Sequence, residues 1–505
     1  MSSPASDAMI TAPHGSWDSP IGLDDVLAAG VAMRELGGDG RNALWLESRP
    51  EEGSRMTLLR RAGDTVVELT PAPADVRARV NEYGGGSWAA GDGIVVWVDA
   101  AAQQVVGTLE GRGPVALTPA DPLMRYAAPA PCAAFGVVLA VREDHTDPQD
   151  VVTSLVALPW PGGAPDPGTV LAAGHDFYAD PAVRADGVCA WVQWDQPAMP
   201  WDGAQLVVAR LDDDGTHLVE ERVLVDGAGP DPASGIAVQH PLWAPDGSLL
   251  FMSDAHGWWD PWRWTGGPAA PRPVSTEPHD ADLPVWQLAR RPVAVHDDRL
   301  WFARYVDGVA ELVDCPLTGG PSRRLGAVAD LEQVVTTEQG VLALVRRADA
   351  PPAIIDVAAG GAVLRCPSAP PDPALTSVGE VHLVDENRHG RFQCLLWPPR
   401  NPRFRDRRGP ARRSSSPCTA GRPAWRSTTT RPPPSSGPAA ASPSWRSTTR
   451  ARPASDAPSA SACAASGASP TWTTASMRPG GRCGPGWPTR TGSSSPAAAP
   501  AASPC

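Results

Sequence analysis

Hydrolysis through a covalent intermediate needs a serine or cysteine nucleophile, a histidine beside it, and a carboxylate that orients the histidine. The sequence places histidine beside acid at Asp144-His145, His175-Asp176, His279-Asp280 and His296-Asp297. It has no G-x-S-x-G elbow to present a serine to any of them. Ser87 follows three glycines but lacks the glycine after it and opens an apolar run. Metal chemistry has no better footing. No H-E-x-x-H spacing occurs, and none of the nine cysteines forms a C-x-x-C pair. Cys132, Cys189, Cys315, Cys366 and Cys394 read as isolated thiols in strands. No catalytic, cofactor-binding or metal-binding residue is assigned on these grounds, and no cofactor is expected.

Two other stretches have unusual composition. Asn81-Glu82-Tyr83-Gly84-Gly85-Gly86 permits positive φ and close backbone approach, as a tight crossing or as a rim loop over a chamber. Trp194-Asp195-Gln196-Pro197-Ala198-Met199-Pro200-Trp201-Asp202 joins two strands. Its tryptophans can cover a sheet face, and its carboxylates can organise the turn. Trp243-Ala244-Pro245-Asp246-Gly247 and Ser253-Asp254-Ala255-His256-Gly257-Trp258-Trp259-Asp260 read as turns with buried aromatics.

The elements that carry these stretches are β-strands. After a short helix within 17–30, with Asp18 or Ser19 able to cap it, helical periodicity is nearly absent. Short β-rich runs instead recur between Gly, Pro and Asp turns. Each set becomes a four-stranded unit if an inner strand is added at 31–36, 87–90, 125–127, 179–184, 237–243, 283–288 or 331–336. Seven units at spacings of about 40–57 residues predict an all-β fold, a seven-bladed β-propeller. The expected division is a lead-in over 1–30, a propeller over 31–372, a new domain starting over 373–404, and a tail over 405–505.

That tail is a different kind of sequence. Residues 409–505 contain no Leu, Ile, Val, Phe, Tyr, Lys, Glu, Gln, Asn or His, so they cannot fill a core and are expected to be disordered. They hold 11 Arg and one acid, Asp456. The net charge of the whole chain is −13, so the remainder carries −23, which argues against nucleic-acid binding. The first fifteen residues lack a basic and an apolar segment, and no apolar run approaches the ~18 residues of a membrane span, so a cytoplasmic protein with no membrane partner is expected. The whole chain lacks Lys, which fits a GC-rich coding sequence.

The ordered set NEYGGG, WDQPAMPWDG, WAPDG and SDAHGWWD resembles the prolyl oligopeptidase family of serine peptidases, in its bacterial acylaminoacyl-peptidase or dipeptidyl-aminopeptidase branch. The resemblance spans about 15–402. It implies an N-terminal propeller that restricts access to a C-terminal α/β-hydrolase domain, with short peptides as substrates. It also implies a His-Gly-Gly-Pro loop, a Gly-x-Ser-x-Gly elbow, an Asp and a His after residue 402, and this chain has none of these motifs there. Back-reading the tail one base out of frame, with permitted third bases, yields the family's oxyanion loop, a characteristic strand and turn, and its nucleophile elbow, in that order. Cys418–Arg422 reads as His-Gly-Gly-Pro, 445–457 as A-V-D-Y-A-G-S-T-G-F-G-R, and 496–503 as G-G-S-A-G-G-F. Three matches in family order point to a lost reading frame near 403–409. A natural Pro/Ser/Ala tail is the other reading. A non-catalytic propeller that binds peptide or protein is the second functional reading. The oligomeric state is not legible.

Overall fold

A computed structural model describes residues 9–27, 30–109, 112–229, 234–338, 340–386, 390–407 and 450–451. The expected tail lies almost wholly outside the described residues.

Seven four-stranded antiparallel sheets follow one another along the chain, each a simple meander. Blade 1 comprises Met33–Gly38, Ala43–Arg49, Arg55–Ala62 and Thr65–Glu68. Blade 2 comprises Trp88–Gly91, Ile94–Val98, Val105–Leu109 and Val115–Ala116. Blade 3 comprises Met124–Cys132, Val137–Asp144, Val152–Pro159 and Thr169–Ala173. Blade 4 comprises Phe177–Val183, Val188–Trp194, Gln205–Leu211 and Leu218–Asp226. Blade 5 comprises Val238–Trp243, Leu249–Ser253, Asp260–Trp264 and Arg272–Pro273. Blade 6 comprises Ala294–His296, Arg299–Val306, Val309–Pro316 and Arg323–Val328. Blade 7 comprises Asp330–Thr337, Gly340–Arg346, Ala353–Asp356 and Ala362–Arg365. The expected seven-bladed propeller is therefore present, and six of the seven expected inner strands are in place. The exception is blade 6. Its inner strand is Ala294–His296, and 283–288 does something else, described below.

Each blade buries both faces against its neighbours. One apolar cluster runs through blades 2 to 5, a second joins blades 5 and 6, a third blades 6 and 7, and a fourth blades 1 and 2. The fifth closes the ring, packing Met33, Leu36 and Trp45 of blade 1 on Val335, Leu342 and Ile354 of blade 7. Among the described residues no strand is shared between blades 7 and 1. Polar contacts finish the closure instead. Arg365 on the last strand grips Glu47 of blade 1, with Nε 3.0 Å from Oε2 and Nη2 2.7 Å from Oε1. The Glu338 N–H donates to the Gly40 carbonyl at 3.0 Å.

The innermost strands share an irregularity. Register shifts interrupt the pairing in blades 1, 3, 4, 5 and 7. In four of them the bulged residue has a left-handed backbone: Glu35 (φ 49°), Ala128 (52°), Asp180 (50°) and His240 (56°). A bulge re-aims a side chain out of the alternation, and here it brings polar groups to the centre of the ring. The left-handed geometry costs about 1–3 kcal/mol per residue. Side-chain bonds at Glu35, Asp180 and His240 offset part of it.

The chain ends outside the ring are joined. Ile10–Ala12 pairs in parallel with Phe404–Asp406. Trp17 stacks on Phe404 with ring centroids 5.8 Å apart, and Asn401 Nδ2 donates to the Asp18 carbonyl at 2.9 Å. The helix is a short one, Leu23–Leu27. Glu380–Glu386 and Gly390–Leu396 form a hairpin, to which Arg450–Ala451 adds a short third strand.

Candidate functional site

In an antiparallel meander, loops from blade to blade and loops from second to third strand leave at the same face. Three of the four unusual stretches found in the sequence lie on these loops, and the fourth, Trp243–Gly247, joins the first and second strands of blade 5 at the opposite face. The segment that enters blade 1 and the one that leaves blade 7 emerge there too. This upper face is the candidate site.

The 81–86 loop crosses from blade 1 to blade 2. Asn81, Glu82, Gly84, Gly85 and Gly86 all have positive φ. A Cβ at Gly84 would lie 2.4 Å from the Ala78 carbonyl oxygen, and one at Gly85 2.7 Å from that of Leu288. The glycines thus serve a tight crossing, which also leaves Tyr83 45% exposed on the upper face. Arg125 pairs with Glu82, and Glu143 Oε1 accepts from the Asn81 N–H at 2.7 Å.

The 194–202 loop behaves as its composition suggests. Trp194 is buried and stacks on Phe177 at 5.1 Å. Asp195 Oδ1 accepts from the Asp176 N–H, and Oδ2 lies against His175 Nδ1, both at 2.8 Å. Asp202 Oδ2 accepts from the Met199 N–H at 3.1 Å. Trp201 projects toward the ring centre and meets Trp286 at 4.8 Å, and Trp286 meets Tyr83 at 5.1 Å. Two loops that sequence analysis singled out are therefore linked by a third residue that it did not single out. Such aromatic contacts are worth about 0.5–1.5 kcal/mol each beyond burial.

The other stretches are turns. Asp246 Oδ1 accepts from the N–H and hydroxyl of Ser248, and Arg263 pairs with the same carboxylate. Asp254 Oδ1 accepts from the Ala237 N–H at 2.8 Å, and Trp259 is buried. The histidines singled out by adjacency stay apart. His145 bonds Glu143 at 2.9 Å, His175 bonds Asp195, and His296 lies 3.4 Å from Asp297. Burial, with Arg304 nearby, lowers the basicity of His279. Among the described residues no group of three His, Cys, Asp or Glu could hold a metal ion.

A buried acid accompanies these turns. Asp260 sits deep beside Asp280 and Glu277, and burial together with their charges raises its pKa to about 8. Burial likewise raises Asp280 to about 6, against the Trp259 N–H that lowers it. A carboxyl raised on folding contributes stability that is complete below its unfolded value of about 3.9 and is lost as pH rises through 8. Asp260→Asn should therefore stabilise the chain by on the order of 2 kcal/mol at pH 8 and little at pH 4. Thermal melts across that range check it, and equal gains at both pH values would contradict the assignment.

Polar residues that the sequence did not mark gather at the ring centre. Asp180 Oδ2 holds His240 Nδ1 at 2.9 Å, and Asp282 Oδ2 lies 3.6 Å from His240 Nε2. Asp282 also accepts from Gln239 Nε2 at 2.6 Å and pairs with Arg290. Glu35 accepts from the N–H and hydroxyl of Ser87 at 2.7 and 2.8 Å. Burial raises the Glu35 pKa against those bonds, and it lowers that of Arg291 against the charges of Asp180 and Glu35. Asp180 and His240 are 60 residues apart in sequence, so spacing hides them. The available signal was a polar residue immediately before proline in an inner strand, as in Asp180-Pro181 and His240-Pro241.

No protein-family model matches the sequence, and no curated protein matches it. Solved structures do. A puromycin-hydrolysing peptidase of Mycobacterium tuberculosis superposes with a TM-score of 0.69 at 30% identity, over 78% of this chain and 63% of its own. A puromycin hydrolase gives 0.69 at 26% identity, over 79% of this chain and 63% of its own. Prolyl oligopeptidase B of Galerina marginata shares the fold at 10% identity, with a TM-score of 0.53 over 73% of this chain and 55% of its own. The chain thus spans less than two thirds of the length of the first two. Fold and upper face define a seven-bladed propeller of the kind found in peptidases. The structural neighbours thus include puromycin-hydrolysing peptidases and prolyl oligopeptidases, the family that the four sequence stretches resemble. No helix among the described residues is long and apolar enough to cross a membrane.

Proposed function

We propose that this chain is the propeller portion of a cytoplasmic serine peptidase that hydrolyses short or N-blocked peptides, and that the chain as written is inactive. The observation that carries the reading is the 30% identity to a peptidase along the propeller, set against a sequence that changes character at 403–409. In this reading 31–372 is the propeller, with 1–30 leading into it. Residues 373–404 begin an α/β-hydrolase domain, and 405–505 is that domain translated out of frame. The upper face is then the side on which peptides meet the propeller. A serine hydroxyl without its histidine and oxyanion donors is a poor nucleophile, so no covalent chemistry remains.

The purified chain should stay unlabelled by a fluorophosphonate and should not turn over acyl-peptide or aminoacyl-nitroanilide substrates. Labelling or turnover would overturn the inactivity. The second reading, a non-catalytic propeller that binds peptides, draws support from Tyr83, Trp201 and Trp286 on the upper face. Quenching of tryptophan fluorescence by short aromatic peptides would favour it.

A further inference from the structure

The segment 282–291 has the apolar pattern of an inner strand but does not lie in blade 6. Its contacts reach the loop into blade 2 and blades 4, 5 and 7. Leu288 forms a parallel bridge with Gly85 in the loop leading into blade 2, and its N–H donates to the Gly84 carbonyl at 3.2 Å. Gln287 Nε2 donates to the Tyr83 carbonyl at 3.1 Å. The Ala289 N–H donates to Asp180 Oδ1 of blade 4 at 2.6 Å. Gln239 of blade 5 donates to Asp282 at 2.6 Å and to the Leu283 carbonyl at 3.0 Å. On the far side, Arg290 Nη2 donates to the Leu331 carbonyl of blade 7 at 3.0 Å, and the Arg291 carbonyl accepts from the Val334 N–H at 2.9 Å.

Blades 2 and 6 stand on opposite sides of a seven-bladed ring. A segment that begins at blade 6 and bonds the loop into blade 2 must cross the axis. We infer that 282–291 is a fixed strap that closes the propeller axis at the upper face, with Asp180 as its clasp. Asp180 is suited to the task because it is 9% exposed, stands on a bulge that turns it inward, and bonds the strap and His240 at once. Its position is shared between two strongly held partners, so the strap is tied into the blade framework and is not a loop laid over it. Leu288 is buried and Ala289 carries a left-handed backbone (φ 56°), a geometry that persists only when its surroundings enforce it. The axis is therefore no path to the upper face, and a peptide arriving there comes around the rim. This inference concerns the propeller alone and does not depend on whether the chain is catalytic.

Hydrogen exchange on the full chain, resolved to fragments, tests the strap. The amides of Leu288 and Ala289 should exchange as slowly as those of the inner strands of blades 4 and 5. In Asp180→Ala, exchange over 286–290 should rise at least tenfold, while blades 1 and 2 keep their protection. Should that variant fail to fold, Gln287→Ala at an exposed position should speed exchange at 286–288 alone. Exchange of these amides in the unaltered chain as fast as in the exposed turn 147–150 would show a mobile gate and overturn the inference. An Asp180→Ala chain that folds with unchanged exchange over the strap would overturn the role of Asp180.

Discussion

Adding or removing one base in the codons for 403–418, in the direction that restores the family motifs, should convert an inert chain into one that fluorophosphonates label. The tail then supplies a His-Gly-Gly-Pro loop and a Gly-Gly-Ser-Ala-Gly elbow, and the same frame read on beyond the elbow should supply the Asp and His that complete the triad. The serine and its histidine and aspartate partners act as a unit, and their joint presence is worth about 10⁶-fold in rate. Peptide hydrolysis should rise from background to a rate typical of such enzymes, about 1–10³ per second. Replacing the serine of the restored elbow should abolish both labelling and turnover. Re-sequencing the gene is a separate check: an intact frame in the DNA would identify the break as a reading error, whereas a confirmed break would make this a truncated product. If the restored chain folds yet stays unlabelled, the tail is not a displaced catalytic domain.

Glu47→Ala should destabilise the propeller by about 3 kcal/mol, since removing one partner of a buried charged network strands the others. Glu47 is 2% exposed and bonds four donors: Arg365 twice, Arg49 Nη1 at 2.8 Å and the Trp45 indole at 3.2 Å. Burial alone would raise its pKa, but the bonds from Arg365 and Trp45 hold it below the usual carboxylate range. A depressed carboxyl contributes stability above its unfolded value, about 4.3, and that stability is lost as pH falls below it. The unaltered chain should therefore weaken on acidification below pH 4, and Glu47→Ala should lack that part of the loss. Urea unfolding at pH 7 and pH 3.5 measures both effects. Hydrogen exchange should rise first in Met33–Gly38 and Asp330–Thr337, the strands that meet where the ring closes. An unfolding midpoint matching the parent would show that packing alone closes the ring.

Most of the fold was legible because blade strands repeat a local pattern, with apolar runs cut by turns. Trp194, Asp195 and Asp202 could be placed because their partners lie within one loop or the adjoining strand. Blade 6 was misread because 283–288 has the composition of a strand while its partners, Gly85 and Asp180, come from blades 2 and 4. The true inner strand has three residues, too short to outweigh that run. The polar centre was hidden for a related reason. Asp180, His240 and Asp282 look like strays in apolar surroundings, and only the closed ring brings them together. The meeting of Tyr83 and Trp201 was half legible, since each loop stood out while Trp286, which joins them, did not.

The pairing of Ile10–Ala12 with Phe404–Asp406 sets an order of events during synthesis. The strand Ile10–Ala12 is synthesised about 390 residues before its partner, which at ordinary rates is on the order of 20–80 seconds. Throughout that interval seven blades form behind an unpaired edge. The pair can form only when the last blade is complete, so the early segment acts as a latch that records the finished ring. A ribosome stalled before residue 404 would hold a propeller with its leading strand still free, a state that a protease acting on exposed strands would distinguish from the finished chain.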